Sequence, residues 1–167
     1  NIQQIGNNNT VAILQDGSGH TATVNLGASS NVDNTSIYID QKDSGIKTTS
    51  VEIKSGINNG VNILQQGAGN HIASINNLNG SGNNINIDQN GSGNHEFRVL
   101  NSIGSVNSGN TITSTQSSAS SQVFNLTLDG TTGATVGVSQ TGAIPNIGSM
   151  TIQCAPGTCG TYTYTRN

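Results

Sequence analysis

Three histidines and two cysteines are the side chains of this sequence with the chemistry of metal ligands. His71 and His95 follow equivalent Gly/Asn-rich turns in two similar segments, so stacking of the segments would bring their rings about 5 Å apart. His20 falls one position out of step with them when counted from the preceding glutamine. Zinc sites in proteins use three or four ligands, and no carboxylate stands at ligand spacing from these histidines. We therefore interpret the histidines as solvated turn residues and predict no metal site.

Acid–base chemistry would require carboxylates that converge on one face. Glu52 and Glu96 fall two repeats apart, which is roughly 10 Å at the spacing of stacked strands. Asp40 and Asp88 each precede a glutamine and are expected to point outward. The glycine-rich turns open no helix and lack the lysine of phosphate-binding loops. The sequence accordingly predicts no catalytic residue, no cofactor and no enzymatic activity.

The composition excludes several classes of partner. Of the 167 residues, 31% are apolar and 8% charged, against about 45–50% and 25% in ordinary globular domains. Five Lys and Arg residues, scattered singly, form no basic surface for nucleic acid. No apolar run approaches the ~20 residues of a membrane span. A polar, Asn-rich chain of low net charge is typical of structures ordered by backbone pairing and amide ladders.

The elements that position these residues come from an internal repeat. The segments "NGVNILQQGAGNH" and "NNINIDQNGSGNH" lie 24 residues apart and share eight of thirteen positions. The same pattern recurs with spacings of 26, 24, 24, 27 and 24 residues around six glutamines. These are Gln15, Gln41, Gln65, Gln89, Gln116 and Gln140. We predict that they stack into a ladder of side-chain hydrogen bonds.

Alternation before each glutamine predicts a strand with one inward face. Apolar, mostly β-branched residues stand two and four places ahead of the glutamine, as Val61 and Ile63 do before Gln65. A Gly/Asn turn and a second, less regular strand follow, and one such unit cannot bury a core alone. The predicted fold is therefore all-β, a β-solenoid of about six strand–turn–strand repeats of ~24 residues, stacked into two parallel sheets. Residues 1–142 would form the solenoid, with 1–9 as a half-unit.

The pattern Asn/Thr-x-Ile/Val-x-Ile/Val-x-Gln-x-Gly-x-Gly-Asn resembles the curlin repeat of bacterial curli-type amyloid subunits. The resemblance covers about Thr10 to Gly142 and is clearest at Val61–His71 and Ile85–His95. On these copies the ladder residues of the family map to Gln65, Asn70, Gln89 and Asn94. The resemblance implies a strand–turn–strand solenoid that polymerises, is secreted, and has a nucleator subunit and secretion chaperones as further partners.

The sequence departs from the curlin pattern at three kinds of position. Repeats of the family open with Ser, where this chain has Asn9, Thr35, Asn59, Asn83 and Asn110. Their second strands end in Gln, where this chain has Leu26, Glu52, Asn76 and Leu100. The cysteine pair is also foreign to the family.

Residues 143–167 break the repeat. Two alternating runs flank "CAPGTC", and a Pro-Gly turn between Cys154 and Cys159 predicts a hairpin clamped by a disulfide. A disulfide between subunits is the alternative for the same two cysteines.

The uncapped ends of such a solenoid lead to a functional expectation. An open row of N–H and C=O groups is a template for another strand, and the half-unit at residues 1–9 carries no charged or proline-rich cap. We expect a secreted structural subunit that assembles head-to-tail with itself into extracellular, amyloid-like fibres of a biofilm matrix. The alternatives are a non-polymerising solenoid adhesin or passenger domain and a β-helical polysaccharide enzyme.

Overall fold

The computed structural model describes residues 1–27, 30–76, 78–102, 104–154 and 157–167, and every regular element in these ranges is a β-strand. The strands are β1 (Thr10–Asp16), β2 (Thr21–Val24), β3 (Val32–Asp33), β4 (Ser36–Lys42), β5 (Lys47–Val51), β6 (Gly56–Ile57), β7 (Gly60–Gln66), β8 (His71–Ile75), β9 (Asn84–Asn90), β10 (His95–Asn101), β11 (Thr111–Ser117), β12 (Gln122–Asp129), β13 (Thr135–Gln140), β14 (Asn146–Gln153) and β15 (Thr161–Arg166). No helix long and apolar enough to cross a membrane occurs in these ranges.

Two parallel sheets run the length of the molecule. The first, here the glutamine sheet, has the order β1-β4-β7-β9-β11-β13-β15. The second, here the opposing sheet, has the order β2-β5-β8-β10-β12-β14, and β3 and β6 form a short third sheet. Each strand of the glutamine sheet pairs with the strand one repeat later, and the first glutamine of each pair stands opposite the second. The predicted all-β solenoid of about six repeats is confirmed.

The core lies between the two sheets and is one side chain deep from each. Inward positions of the glutamine sheet carry Ile39, Ile63 and Ile87, all 0% exposed. Phe97 and Phe124 stack from the opposing sheet with ring centroids 6.0 Å apart. Because every turn contributes side chains at the same few positions, the core consists of columns of stacked side chains that run along the solenoid.

Glycine is required where the turn after β7 contacts the turn after β9. Gly67 has φ +93°, a conformation that costs other residues energy, and a Cβ on Gly69 would come within 2.0 Å of the Gly93 carbonyl oxygen. The amide of Gly69 donates to the Gly91 carbonyl at 3.0 Å. These two turns therefore nest closely because their glycines place no side chain between the backbones.

The C-terminal segment differs from the predicted hairpin. β14 pairs in parallel with β12 in the opposing sheet, and β15 pairs in parallel with β13 in the glutamine sheet. The two strands thus lie on opposite sides of the core and continue the solenoid. Local turn chemistry favours a hairpin, but stacking offers β14 a ready partner over eight residues and shields the last core residues. The predicted Pro-Gly turn includes Pro156, which lies outside the described residues.

Candidate functional site

The structure brings the six predicted glutamines into one column. Each side-chain amide donates from Nε2 to Oε1 of the glutamine one turn later, at 2.7, 2.9, 2.8, 2.8 and 2.8 Å from Gln15 to Gln140. The five later glutamines are fully buried, whereas Gln15 is exposed. The column has one direction: every donor points toward the C-terminal end.

The same glutamines join the two sheets. The Nε2 atom of Gln65 also contacts the Thr48 carbonyl oxygen at 3.2 Å, and that of Gln89 contacts the Ile72 carbonyl oxygen at 2.9 Å. Gln41, Gln116 and Gln140 make the equivalent bond to Thr21, Glu96 and Val123. One N–H thus extends the ladder and the other crosses the core, so truncating a glutamine would leave buried carbonyls unpaired.

Asn70 and Asn94 bridge turns in a different way from the predicted amide ladder. Both are exposed, and each accepts a backbone N–H from the turn below: Ile46 to Asn70 at 2.8 Å and Asn70 to Asn94 at 2.9 Å. Their side chains therefore link turn to backbone at the surface.

A buried asparagine ladder exists elsewhere. Asn83 Nδ2 donates to Asn59 Oδ1 at 3.0 Å, and Asn110 Nδ2 donates to Asn83 Oδ1 at 3.0 Å. All three side chains are at most 2% exposed. They precede the strands of the glutamine sheet, at the positions where curlin repeats open with Ser. Their recurrence at repeat spacing was a usable signal that sequence reasoning treated only as a departure.

A column of polar side chains fills the turns at the start of the opposing sheet. It contains His20, Lys47, His71, His95 and Gln122, and each sends its head group to carbonyls of its own or a neighbouring turn. His20 does belong to this column, because it immediately precedes Thr21, which pairs with Thr48, and its Nδ1 accepts the Lys47 amide. The first turn is one residue shorter, so counting along the sequence puts His20 out of step.

Lys47 is the most unusual member of this column. It is 0% exposed, and its Nζ lies 3.0, 2.7 and 2.8 Å from the carbonyl oxygens of Gly45, Gly67 and Gly69. Burial lowers the pKa of Lys47. Its three N–H groups stitch two successive turns together.

The prediction that His71 and His95 are solvated is wrong. Their rings stack with centroids 4.9 Å apart, as the repeat predicts, but the residues are 0% and 1% exposed. Burial lowers the pKa of His71 to about 4 and also lowers the pKa of His95. Each Nε2 contacts a turn carbonyl, Gln66 at 2.7 Å and Asn90 at 3.0 Å, so the neutral ring donates there. The turns therefore enclose these rings and shield them from solvent.

Among the described residues, no side chains come together in an arrangement that would bind a metal ion or carry out acid–base catalysis. These residues contain no cluster of three or more His, Cys, Asp or Glu side chains and enclose no pocket. Glu52 forms an ion pair with Lys54 at 3.0 Å just after β5, and Glu96 forms one with Arg98 at 2.6 Å on β10.

Asp40 and Asp88 keep the outward side of their strands, but Asp40 is buried and Asp88 is half-buried. Asp40 is only 5% exposed and pairs with Lys42 at 2.7 Å, and burial raises the pKa of Asp88. Leu14 and Leu64 flank Asp40 in register on the neighbouring strands, so side chains of its own column cover the carboxyl.

The N-terminal end of the solenoid is open. Val11 and Ile13 on β1 are half-buried, whereas Ile37 and Ile39, at the same positions one turn later, are 1% and 0% exposed. Below β2, Ile2 forms a single parallel bridge with Val24 and is 50% exposed.

The C-terminal end is open on the glutamine sheet and partly covered on the opposing sheet. Tyr162 and Tyr164 occupy inward positions of β15 and are half-buried, and Arg166 takes the place of a seventh glutamine opposite Gln140. The Tyr164 ring reaches over Gly148, where its hydroxyl accepts from Asn146 at 2.9 Å and its ring lies 4.8 Å from that of Phe124.

A disulfide secures the connection between the last two strands. Cys154 and Cys159 are bonded within the chain, with Cα atoms 5.5 Å apart. Both pack against the end of the core. The disulfide therefore holds the link that carries the chain from the opposing sheet to β15.

Comparison of the chain with family models, curated proteins and solved structures found no match.

Proposed function

We propose that this protein is a structural subunit that assembles head-to-tail with copies of itself into extracellular, amyloid-like fibres of a biofilm matrix. The proposal includes that it is not an enzyme. It rests on the geometry of the two ends and, for location and setting, on the resemblance of the repeat to curlin subunits.

One observation carries the proposal: the two ends are unfinished in the same way. At each end a strand of the glutamine sheet has a partner on one side alone, and its inward side chains are half-buried where those of inner turns are buried. Soluble β-proteins usually block such edges with charge, proline or a covering segment. A second copy is the partner whose strand period, twist and column positions match both edges.

Other features are compatible with this role. A polymer held by backbone pairing needs no pocket, and the described residues enclose none. A local disulfide is typical of oxidising compartments, which supports an extracellular location. A nucleator subunit and secretion chaperones are part of the proposal through the curlin resemblance alone.

One feature favours a non-polymerising solenoid adhesin instead. The Tyr164 ring covers Gly148 and so closes part of the C-terminal end. A complete cap would also have to satisfy the outward N–H and C=O groups of β15. The backbone N–H groups of Thr135 and Thr141 donate to the carbonyl oxygens of Gly160 and Arg166, so the even-numbered residues of β15 direct their backbone groups toward β13. The backbone N–H and C=O groups of Thr161, Thr163 and Thr165 therefore point away from β13.

The test is imaging of the purified chain after removal of denaturant. We expect long unbranched fibres that give reflections at about 4.8 and 10 Å, the strand and sheet spacings. Isolated particles at every concentration would contradict the proposal and favour the adhesin.

A matched pair of variants tests whether growth uses the β15 edge. Thr163→Pro removes an N–H that faces away from the molecule, a position where proline is tolerated in the folded subunit. Thr163→Ala keeps that N–H. We expect fibres from the alanine variant and blocked growth from the proline variant; equal growth of both would exclude β15 as the contact.

A further inference from the structure

We infer that the solenoid has a seventh turn that is shared between two molecules, with β15 of one copy and residues 1–3 of the next as its two strands, in one defined register. This inference rests on the proposed head-to-tail assembly and adds which residues meet. It follows from how the two sheets begin and end.

The two edges of the solenoid, as formed by the described residues, lie half a turn apart. The last strand of the opposing sheet is β14, and the chain then crosses to β15, which lies beyond β13 in the glutamine sheet. At the other end, residues 1–3 lie below β2 in the opposing sheet before the chain crosses to β1. Among the described residues, one edge thus supplies a glutamine-sheet strand and the other an opposing-sheet strand. Placed together they make one turn.

The register in the opposing sheet is set by a continuous column of inward residues. It runs Val24, Val51, Ile75, Val99, Leu126 and Met150. Within one copy, Ile2 pairs with Val24, the first residue of this column, on the N-terminal side. The Ile2 of the next copy would in the same way lie on Met150, the last residue of the column. Ile2 is 50% exposed and Met150 half-buried, and this contact would cover both.

The backbone groups at this contact are complementary. The Val24 N–H donates to the Asn1 carbonyl oxygen at 3.0 Å, and the Gln3 N–H donates to the Val24 carbonyl oxygen at 3.1 Å. The N–H and C=O groups of Ile2, which lies between Asn1 and Gln3, therefore point away from β2. The Asn146 N–H donates to the carbonyl oxygen of Ser121, the residue before β12, and by alternation the backbone groups of Ser149 and Thr151 face away from β12. Ile2 of the next copy can therefore donate to Ser149 and accept from Thr151.

In the glutamine sheet the register follows from the equivalence of strand starts. Thr10 donates to the Thr35 carbonyl and Thr135 donates to the Gly160 carbonyl, so Thr161 stands at the level where the next strand would begin with Thr10. Tyr162 would then lie on Val11 and Tyr164 on Ile13. All four are inward and only half-buried in the single chain.

The ladder polarity fits this register. The Oε1 atom of Gln15 is the open acceptor of the column, since every donor points toward the C-terminal end and no donor reaches that atom within the described residues. The other end of the column is Arg166, whose side chain has only donors. Thr161 on Thr10 places Arg166 on Gln15, donor against acceptor.

Tyr164 does not obstruct the shared turn. Its ring lies above Gly148, two residues along β14 from Met150, and the two positions are neighbouring columns of the core. The ring therefore packs beside Ile2 of the next copy instead of in its place.

Disulfide trapping tests the register in assembled full-length chains. Ala12→Cys with Thr163→Cys would face each other across the contact at about 4.8 Å, inside the range of Cα separations that a disulfide spans. Leu14→Cys with Thr163→Cys is the matched control, displaced by two residues to roughly 8 Å. We expect covalent multimers from the first pair and none from the second, on non-reducing gels of oxidised fibres.

The outcomes separate this inference from the proposed function. Fibres of both variants with cross-linking of the displaced pair, or of neither pair, would overturn the register and leave head-to-tail assembly standing. Failure of the unmodified chain to form fibres would overturn the proposed function and the inference together.

Reversing the charge at residue 166 provides a second test of the contact, and it needs no introduced cysteine. Arg166→Glu opposes an acceptor to Gln15 Oε1, and we expect seeded elongation to slow roughly ten- to a hundred-fold, the worth of one charge-assisted hydrogen bond. Adding Gln15→Lys to that variant should restore growth, whereas Arg166→Gln, which keeps a neutral donor, should slow growth less than Arg166→Glu does. An Arg166→Glu variant that elongates normally, or is not rescued by Gln15→Lys, would overturn the contact.

Discussion

Equivalent positions of the inner turns and the end turns of this solenoid are in different states. In the inner turns Gln65 and Gln89 are fully buried, each donating to the next glutamine and to a carbonyl of the opposing sheet. In the first turn Gln15 is exposed, and in the last turn Arg166 replaces glutamine. The repeat chemistry is complete only where a neighbour lies on both sides. The ends differ from the interior chiefly by lacking that neighbour.

The strongest test of this comparison is to remove two inner ladder residues. Gln65→Ala with Gln89→Ala leaves the Thr48 and Ile72 carbonyls and the flanking glutamines with lost partners. At about 1–3 kcal/mol per unsatisfied buried group, we expect the free energy of unfolding to fall by about 4 kcal/mol or more. Denaturant titration of the unassembled chain measures it.

The matched control is an exposed amide pair on the same two strands. Asn62 Nδ2 donates to Asn86 Oδ1 at 3.0 Å on the outer face. Replacing both with Ala should change the free energy of unfolding by about 0.5 kcal/mol at most. Equal losses from the two double variants would show that burial of the glutamine ladder is not what stabilises the inner turns.

A smaller effect is expected at the C-terminal end. Cys154→Ser with Cys159→Ser opens the disulfide that holds the β14–β15 connection. For so short a loop, the loss of chain constraint corresponds to about 2 kcal/mol. Because inner turns pair independently of this link, amide hydrogen exchange should speed up over residues 146–166 and stay unchanged in β7 and β9. Faster exchange throughout would mean that the end turn holds the whole stack together.

The smallest effect is a pH dependence from the stacked histidines. The folded-state pKa of His71, about 4, lies below its ordinary value of 6.5. Between these two pH values His71 is therefore mostly protonated in the unfolded chain and mostly neutral in the folded chain. Stability is therefore full above pH 6.5 and is lost as the pH falls toward 4. Burial is the main cause of the low pKa, and positive charge on Lys47 and on protonated His95, its neighbours in the column, lowers the pKa of His71 further. Between pH 7 and 5 we expect a loss on the order of 1–2 kcal/mol.

Glutamine already occupies the same column at Gln122, which supplies the control. His71→Gln should reduce the slope of stability against pH in this range, and His71→Gln with His95→Gln should remove most of it. A slope that survives in the double variant would assign the pH dependence to other groups, such as Asp88, whose pKa burial raises.

The glutamine sheet could be predicted from the sequence because its signal is doubly periodic. Alternation fixes which side chains point inward, and the ~24-residue period fixes which of them stack, so the sequence alone suffices to pair Gln65 with Gln89. The opposing sheet could not be registered in this way, since turn lengths vary by a residue, as at His20.

Burial in the turns was not readable from local sequence. Lys47, His71 and His95 follow glycine-rich turns that are usually solvated, and only the nesting of one turn on the next closes them. The asparagines of the buried ladder, among them Asn59 and Asn83, do recur at the repeat spacing, but the arc between the sheets has no alternation that would show these side chains to point inward. At the C-terminus the local Pro-Gly and cysteine pattern indicated a hairpin, and stacking on β12 and β13 prevailed.

The most direct test of the central claim is the axial repeat of the fibre, measured by helical reconstruction from electron micrographs. A subunit with seven strand levels in the glutamine sheet and a shared seventh turn should advance about 34 Å along the axis, at ~4.8 Å per level, with every strand parallel. A repeat of one chain per ~4.8 Å layer, as in a flat stacked zipper, would contradict the account.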